Sequence, residues 1–178
     1  MKVKDETRVP EFLKMLDELT STHLEIGIFL DGKGGERHNK DSDITVLGIA
    51  TIHEFGIDIE VTDKMRNYLH AIGLHLKKET KGIKIPERSF LRSGYDSQKK
   101  KFIEKLEPLL TKVIMLELPV DAFFNTAGEY MVGQIQDYLT NLKEPPNHPF
   151  TIGQKGSSNP LIDSGRLRDS ITYKVVRD

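Results

Sequence analysis

Two long segments with helical apolar spacing, separated by Pro119, constrain the fold of this 178-residue chain most strongly. A helix repeats every 3.6 residues, so apolar residues three or four positions apart form one face that must be covered. The first segment carries Phe102, Leu106, Leu109, Val113 and Leu116, and the second carries Phe123, Ala127, Met131, Ile135, Tyr138 and Leu142. This pattern predicts two long helices packed as a hairpin.

Prolines and serines indicate where these helices begin and end. Ser97 is a candidate N-cap for the first helix, Pro108 should kink or restart it, and Pro119 should end it. The second helix is predicted from about Asp121 to Leu142.

Alternation of apolar and polar residues predicts short strands elsewhere. It occurs at Leu24, Ile26 and Ile28, at Ile57, Ile59 and Val61, and at Ile171, Tyr173 and Val175. Residues 83–86 should be extended because a residue before proline avoids helical angles. We therefore predict an α+β fold in which a small antiparallel sheet packs against several helices, including the long hairpin. The length suits a single domain over residues 1–178.

Shorter helices are predicted at 10–20, 44–55, and from Thr62 to about 81–82, with a helical turn at 164–168. The apolar residues of 44–55 fit a strand or a helix, and we favour a helix because Ser42 or Asp43 can cap it and Gly56 can stop it. Met65, Leu69, Ile72 and Leu76 follow Thr62 at helical spacing. Glycine and proline predict mobile loops at about 31–43 and 143–159, the latter without regular structure.

Composition excludes several classes of protein. The chain has no Cys, so it has no disulfide, thiolate metal site or cysteine nucleophile. Its formal charge of -1 gives no long-range attraction to DNA or an anionic membrane. No apolar run approaches the roughly 20 residues of a membrane-spanning helix, and the charged first seven residues are unlike a secretory signal. We expect a soluble protein that is cytoplasmic when made.

Candidate catalytic and metal motifs fail on spacing. His53 and Glu54 begin an H-E-x-x-H pattern, but Ile57 stands where the second histidine is needed. His70 and His75 are five apart on a predicted helix, which should turn them away from each other. The glycines at 31–35 lack the phosphate-loop pattern. We predict no catalytic residue, no cofactor and no metal ligand.

Basic residues suggest two weak candidate contacts. Lys99, Lys100 and Lys101 could face DNA, although a solvated helix face is the favoured interpretation because Glu104 and Glu107 lie beside them. A second basic loop surrounds Lys155. Arg88 and Arg92 flank Phe90, and each should have a carboxylate partner, either at an interface or within the fold.

Three short segments carry a family resemblance: HEFG at 53–56, IPERSFLR at 85–92 and PLIDSGRL at 160–167. In this order they resemble the phage virion morphogenesis family, whose members are neck, head–tail connector or tail-completion proteins of tailed phages and prophages. The resemblance covers most of the chain from Leu24 onward. Ser164 replaces an expected threonine, and both residues cap helices. Residues 59–80 resemble an extra helix found in part of the family.

The resemblance implies a structural virion protein without enzymatic activity. Its expected partners are copies of itself in a ring, phage head connector or adaptor proteins, tail tube or terminator proteins, and passing genomic DNA, with no membrane. It would be made in the host cytoplasm and end in the virion. The alternative is a nucleic-acid-binding protein or a transient assembly factor encoded by a phage or prophage.

Candidate residues follow from these segments. The charged residues Arg88, Arg92, Asp163, Arg166 and Arg168 are the predicted interface. The predicted fold-defining residues are Phe55, Gly56, Pro86, Phe90 and Leu167, because apolar motif residues usually serve packing.

Overall fold

The computed structural model describes residues 7–38 and 43–178. Within them, the elements in chain order are α1 Val9–Thr20, β1 Thr22–Gly27, a 3₁₀ turn Lys33–Gly35, α2 Val46–Phe55, β2 Ile57–Glu60, α3 Asp63–Ala71, β3 Gly82–Ile85, α4 Arg92–Ile114, α5 Val120–Asn141, α6 Pro149–Lys155, α7 Arg166–Asp169 and β4 Thr172–Arg177. The predicted α+β class is confirmed, with the strands divided into two antiparallel pairs.

The predicted hairpin is α4 packed on α5. α5 also contacts β1, β4 and α7, so it lies at the centre of the molecule. Its buried face includes Phe123, Ala127, Met131 and Ile135, as predicted, but Leu139 is fully buried whereas Tyr138 and Leu142 are only half-buried. Between the helices the chain reverses at Leu116, which takes a left-handed φ of 59°.

Two apolar clusters form the core. One lies between α2, α5 and α7, with Val46, Phe90, Met131, Leu139 and Leu167 among its buried residues. The other joins α1, α4 and the start of α5 through Met15, Val113, Val120 and Phe123. Because α5 contributes to both clusters, they belong to one body.

Residues 57–85, which comprise β2, α3 and β3, form a projection that we call the arm. β2 and β3 pair from Ile57–Ile85 to Glu60–Gly82, so the two ends of the arm lie side by side. None of its residues is buried. Its shape is held largely by backbone pairing and by Arg66, which donates to the carbonyls of Leu76, Lys77 and Thr80.

The structure corrects three predictions about the long helix and its neighbours. α4 begins at Arg92, which places Ser97 inside the helix instead of at its cap. Pro108 does not restart the helix, which continues to Ile114, and the alternative that it kinks the helix stays a prediction. Pro119 does not end α4 but directly precedes α5.

Caps also differ from those predicted. Thr45, not Asp43, caps α2 by accepting a hydrogen bond from the Gly48 amide, and Ser42 lies outside the described residues. Ser164 does not cap α7, whose N-cap is Gly165. α3 ends at Ala71, about ten residues early, because Gly73 turns the chain at a φ of 95°.

The second predicted loop contains a helix, α6, which the abundance of glycine and proline concealed. Pro149 occupies the first turn, where its missing amide has no helical partner. The His148 side chain accepts from the Phe150 amide, and Gly156 ends the helix in the left-handed conformation. The breakers of this segment therefore mark the ends of a short helix.

Candidate functional site

Glu54, at the end of α2, connects two of the motif segments. Its side chain is 4% exposed. One carboxylate oxygen accepts from the amides of Phe90 and Leu91 at 2.8 and 2.9 Å, and the other accepts from the Arg92 amide at 3.0 Å. The Ser89 hydroxyl adds a fourth hydrogen bond at 2.7 Å. Glu54 thus caps the start of α4 from a distant part of the chain.

Arg92 completes this arrangement. Its guanidinium donates to the Glu54 carboxylate at 3.0 Å and to Glu87 at 2.8 Å, and it lies 4.6 Å from the centre of the Phe55 ring. Burial favours a raised pKa for Glu54, but the hydrogen bonds from Leu91, Arg92 and Ser89 outweigh it and lower the pKa below its usual value. For Arg92 the carboxylate partner lies within the fold, and its interface role stays a prediction.

Among the described residues Arg88 has no carboxylate partner, contrary to the expectation. It is 5% exposed and donates to the carbonyls of Pro145 and Pro146 at 2.7 and 3.0 Å. Its third contact is the Nδ1 atom of His53 at 3.4 Å. Burial lowers the pKa of Arg88. This arginine fastens the 145–146 segment to the second motif.

A cavity of about 210 Å³ is lined by residues of both the first and the third motif segment. Its lining comes from α2, α6 and the loops around them, namely His38, Ile49, His53, Asn147, Thr151, Lys155, Pro160, Leu161, Asp163, Ser164, Gly165, Arg166 and Leu167. Burial lowers the pKa of His53 to about 4, and the positive charges of Arg88 and Lys155 reinforce the shift. His53 is therefore neutral at physiological pH.

Two cationic side chains that line this cavity donate hydrogen bonds to the segments around it. Lys155 donates to the carbonyls of Asn159, Pro160 and Ile162 at 2.6, 3.3 and 3.1 Å, and burial lowers its pKa. Arg166 donates to the carbonyl of His38 and to Glu36. Lys155 is thus half-buried and lies in α6, which contradicts its assignment to a basic loop without regular structure. Sequence reasoning missed the role of Glu54 because its partners lie 36 to 38 positions away, and that of Lys155 because its acceptors are backbone carbonyls, which any residue type supplies.

Of the other predicted interface residues, Arg166 lines the cavity with His53, which Arg88 contacts. Arg168 pairs with the neighbouring Asp169, and Asp163 lines the cavity. Of the predicted fold-defining residues, Phe90 and Leu167 are buried and Pro86 is half-buried. Gly56 has a φ of 69° and lies so close to the Glu87 amide that a Cβ would clash. Phe55 is 61% exposed, so its predicted packing role is wrong.

The remaining basic and histidine candidates lie on the surface. Lys99, Lys100 and Lys101 are exposed on α4, and Lys100 lies 3.9 Å from Glu104. His70 and His75 do not turn away from each other, because α3 ends between them and their Nδ1 atoms approach to 2.6 Å. The described residues contain no group of three or more potential metal-ligating His, Asp or Glu side chains. Among the helices of residues 7–38 and 43–178, none is long and apolar enough to cross a membrane.

Comparisons of this chain with protein-family models, curated proteins and solved structures find no match. The resemblance to the phage virion morphogenesis family therefore stays a prediction from the three segments.

Proposed function

We propose that this protein is a structural component of a tailed phage or prophage particle, which oligomerises at the joint between head and tail as a neck or tail-completion protein. The observation that carries the proposal is the arm. Ile57, Tyr68 and Ile72 on it are 42%, 63% and 37% exposed, and the arm has no buried residue of its own. A folded projection of this kind gains stability by packing against another chain.

The positions of the three motif segments support the same proposal. Glu54 joins the first segment to the second, and His53 shares a cavity with the third. The three segments are far apart in the sequence but lie together in the fold. This is expected when a family signature maintains the structure of its members.

In this role the protein would contact copies of itself in a ring, the head connector or adaptor on one side and the tail tube or terminator on the other. Genomic DNA would pass it transiently. The protein would assemble in the host cytoplasm and remain in the virion.

The decisive experiment is deletion of the gene from the parent phage or prophage, followed by electron microscopy of the lysate. We expect filled heads and separate tails, with joined particles restored by the gene supplied in trans. Normal infectious particles from the deletion strain would contradict the proposal. If joined particles need the gene but purified virions lack the polypeptide, the protein is a transient assembly factor instead.

A second candidate function is nucleic-acid binding, favoured by the exposure of Lys99, Lys100 and Lys101 on one turn of α4. Phosphate contacts release counterions, so such binding should weaken steeply as salt rises. Duplex DNA binding by the isolated protein should then fall when the three lysines are changed to glutamine. Absence of binding at low salt, or binding that the triple variant retains, would reject this candidate.

A further inference from the structure

Two buried or half-buried cations lie near the cavity without a salt bridge to any residue in the described part of the chain. The side chain of Arg88 donates hydrogen bonds to two carbonyls and contacts the His53 ring, and that of Lys155 donates to three carbonyls. All of these acceptors are neutral. Removing a positive charge from water is unfavourable unless a negative group compensates it, so the region has an excess of positive charge.

The cavity itself has little negative charge to balance these cations. Among the residues of 7–38 and 43–178 that line it, Lys155 and Arg166 are cations and Asp163 is the one carboxylate. Arg166 already pairs with Glu36, outside the cavity. A volume of about 210 Å³ holds several water molecules, at about 30 Å³ each, and therefore admits a small charged group.

Hydrogen-bond donors are also available on the lining. The Nδ1 atom of His53 faces the Arg88 guanidinium, which only donates, so the proton of the neutral ring belongs on Nε2. The hydroxyls of Thr151 and Ser164 line the cavity and make no side-chain hydrogen bond within the described part of the chain. These groups can donate to oxygen atoms without any other bond being broken.

We propose that this cavity is a binding site for an oxyanion, a phosphate or carboxylate group, which accepts hydrogen bonds from His53, Thr151 and Ser164 and is attracted by the positive charge of Lys155. The ligand adds negative charge beside Arg88 and Lys155, in addition to that of Asp163, which already attracts Lys155. The low pKa of His53 agrees with the proposal, because the positive charges of Arg88 and Lys155 act on it alongside burial. The site does not depend on the function proposed above, and its test is separate.

The test is an NMR titration of the isolated full chain with inorganic phosphate and, in a second series, with acetate. We expect saturable shifts of the His53 ring and the Thr151 amide. The pKa of His53 should rise from about 4, since a bound anion favours the imidazolium. A response to both anions indicates a site for carboxylates as well as phosphates, and a response to phosphate alone indicates a phosphate site.

Three variants make the test specific. Thr151→Val should weaken binding by about threefold to tenfold, the effect of one hydrogen bond. Asp163→Asn should tighten binding by a similar factor of about three to ten, because it removes the like charge. Lys112→Gln, on the exposed face of α4, should leave the affinity unchanged.

The proposal is overturned if the His53 ring shows no saturable shift with either anion. It is equally overturned if Thr151→Val and Asp163→Asn, with native-like spectra, bind as the unaltered chain does, since the anion would then lie elsewhere.

Discussion

Glu54 performs for α4 the task that a serine or threonine N-cap performs in most helices. It accepts from three successive backbone amides and from the Arg92 guanidinium, in a setting where its own side chain is nearly inaccessible. A local cap satisfies one or two amides, whereas this carboxylate satisfies three and also joins two helices. The start of α4 therefore depends on the packing of α2.

Replacing Glu54 should be strongly destabilising. Glu54→Ala leaves three amides and the Nε–H of Arg92 without their acceptor, so we expect the free energy of unfolding to fall by about 3–5 kcal/mol. Glu54→Gln should lose less, about 2 kcal/mol, because one oxygen remains. Glu87→Gln is the matched control: it removes the exposed partner of Arg92 and should cost less than about 1 kcal/mol. Urea denaturation measures all three, and equal losses for Glu54→Gln and Glu87→Gln would contradict the capping role.

His53 should make stability depend on pH. Its pKa is lowered from 6.5 to about 4, so the unfolded chain binds a proton more readily than the folded one between these values. The contribution of the neutral His53 ring to the free energy of unfolding is complete above pH 6.5. This free energy decreases by about 3 kcal/mol as the pH falls towards 4. Glu54, whose pKa is also lowered, adds a further loss below about 4.5.

His53→Gln should therefore flatten the stability profile between pH 6.5 and 4. Urea denaturation across this range, in buffers free of phosphate and carboxylate, provides the measurement. An unchanged slope in the variant would show that His53 does not titrate as described.

At the residue scale, sequence reasoning succeeded where packing decides the outcome. Phe90 and Leu167 were predicted to pack and are buried. It failed for Arg88, whose acceptors are backbone carbonyls 57 and 58 positions away, since any residue type can supply a carbonyl. It failed for Phe55 because an aromatic ring can lie against an arginine at the surface as well as in a core.

At the scale of elements, periodicity predicted the helical hairpin because each helix has enough apolar residues to define a face. The positions at which the helices begin and end were harder to predict from the sequence. α4 begins five residues before Ser97 because its cap is Glu54. α3 has no buried residue, so continued apolar spacing as far as Leu76 could not extend it beyond the turn at Gly73. α6 is short enough for proline and glycine to form both of its ends.

The packing of α5 against β4 depends on Gly128. A Cβ at this position would lie 2.3 Å from the Tyr173 ring, whereas one at Gly133 in the same helix would meet nothing within 4 Å. Gly128→Ala should destabilise the protein by about 1–3 kcal/mol through overpacking. Gly133→Ala should stabilise it by up to about 1 kcal/mol, since alanine favours a helix. Thermal unfolding compares the two variants, and a shift of the same sign in both would contradict this contact.

For the molecule as a whole, the arm and the body differ in how they are stabilised. The body has two apolar clusters connected by α5, whereas every residue of the arm is at least partly exposed. The arm carries six Lys or Arg and four Asp or Glu, so its formal charge is +2. The whole chain has a formal charge of -1, so the rest of the chain carries -3. Opposite charges of this kind favour contact between the arm of one copy and the body of another.

The arm should be removable without unfolding the body. Ile57 and Ile85 are cross-strand partners, so residues 58–84 can be replaced by a short Gly-Asn turn that joins the remaining ends. We expect the shortened protein to keep a cooperative thermal transition but to fail to restore joined particles in the deletion strain. Full restoration would show that assembly does not need the arm. Loss of the cooperative transition would show instead that the body depends on it.

The cap on α4 also has a consequence for the order of folding. The first turn of this helix acquires acceptors for its amides only when Glu54, 36 to 38 positions earlier, arrives on α2. Closing that loop lowers chain entropy before the contact forms, so the α4 terminus should remain frayed in the transition state, with φ-values near zero at Glu54. Substitutions there would then accelerate unfolding and leave the refolding rate almost unchanged.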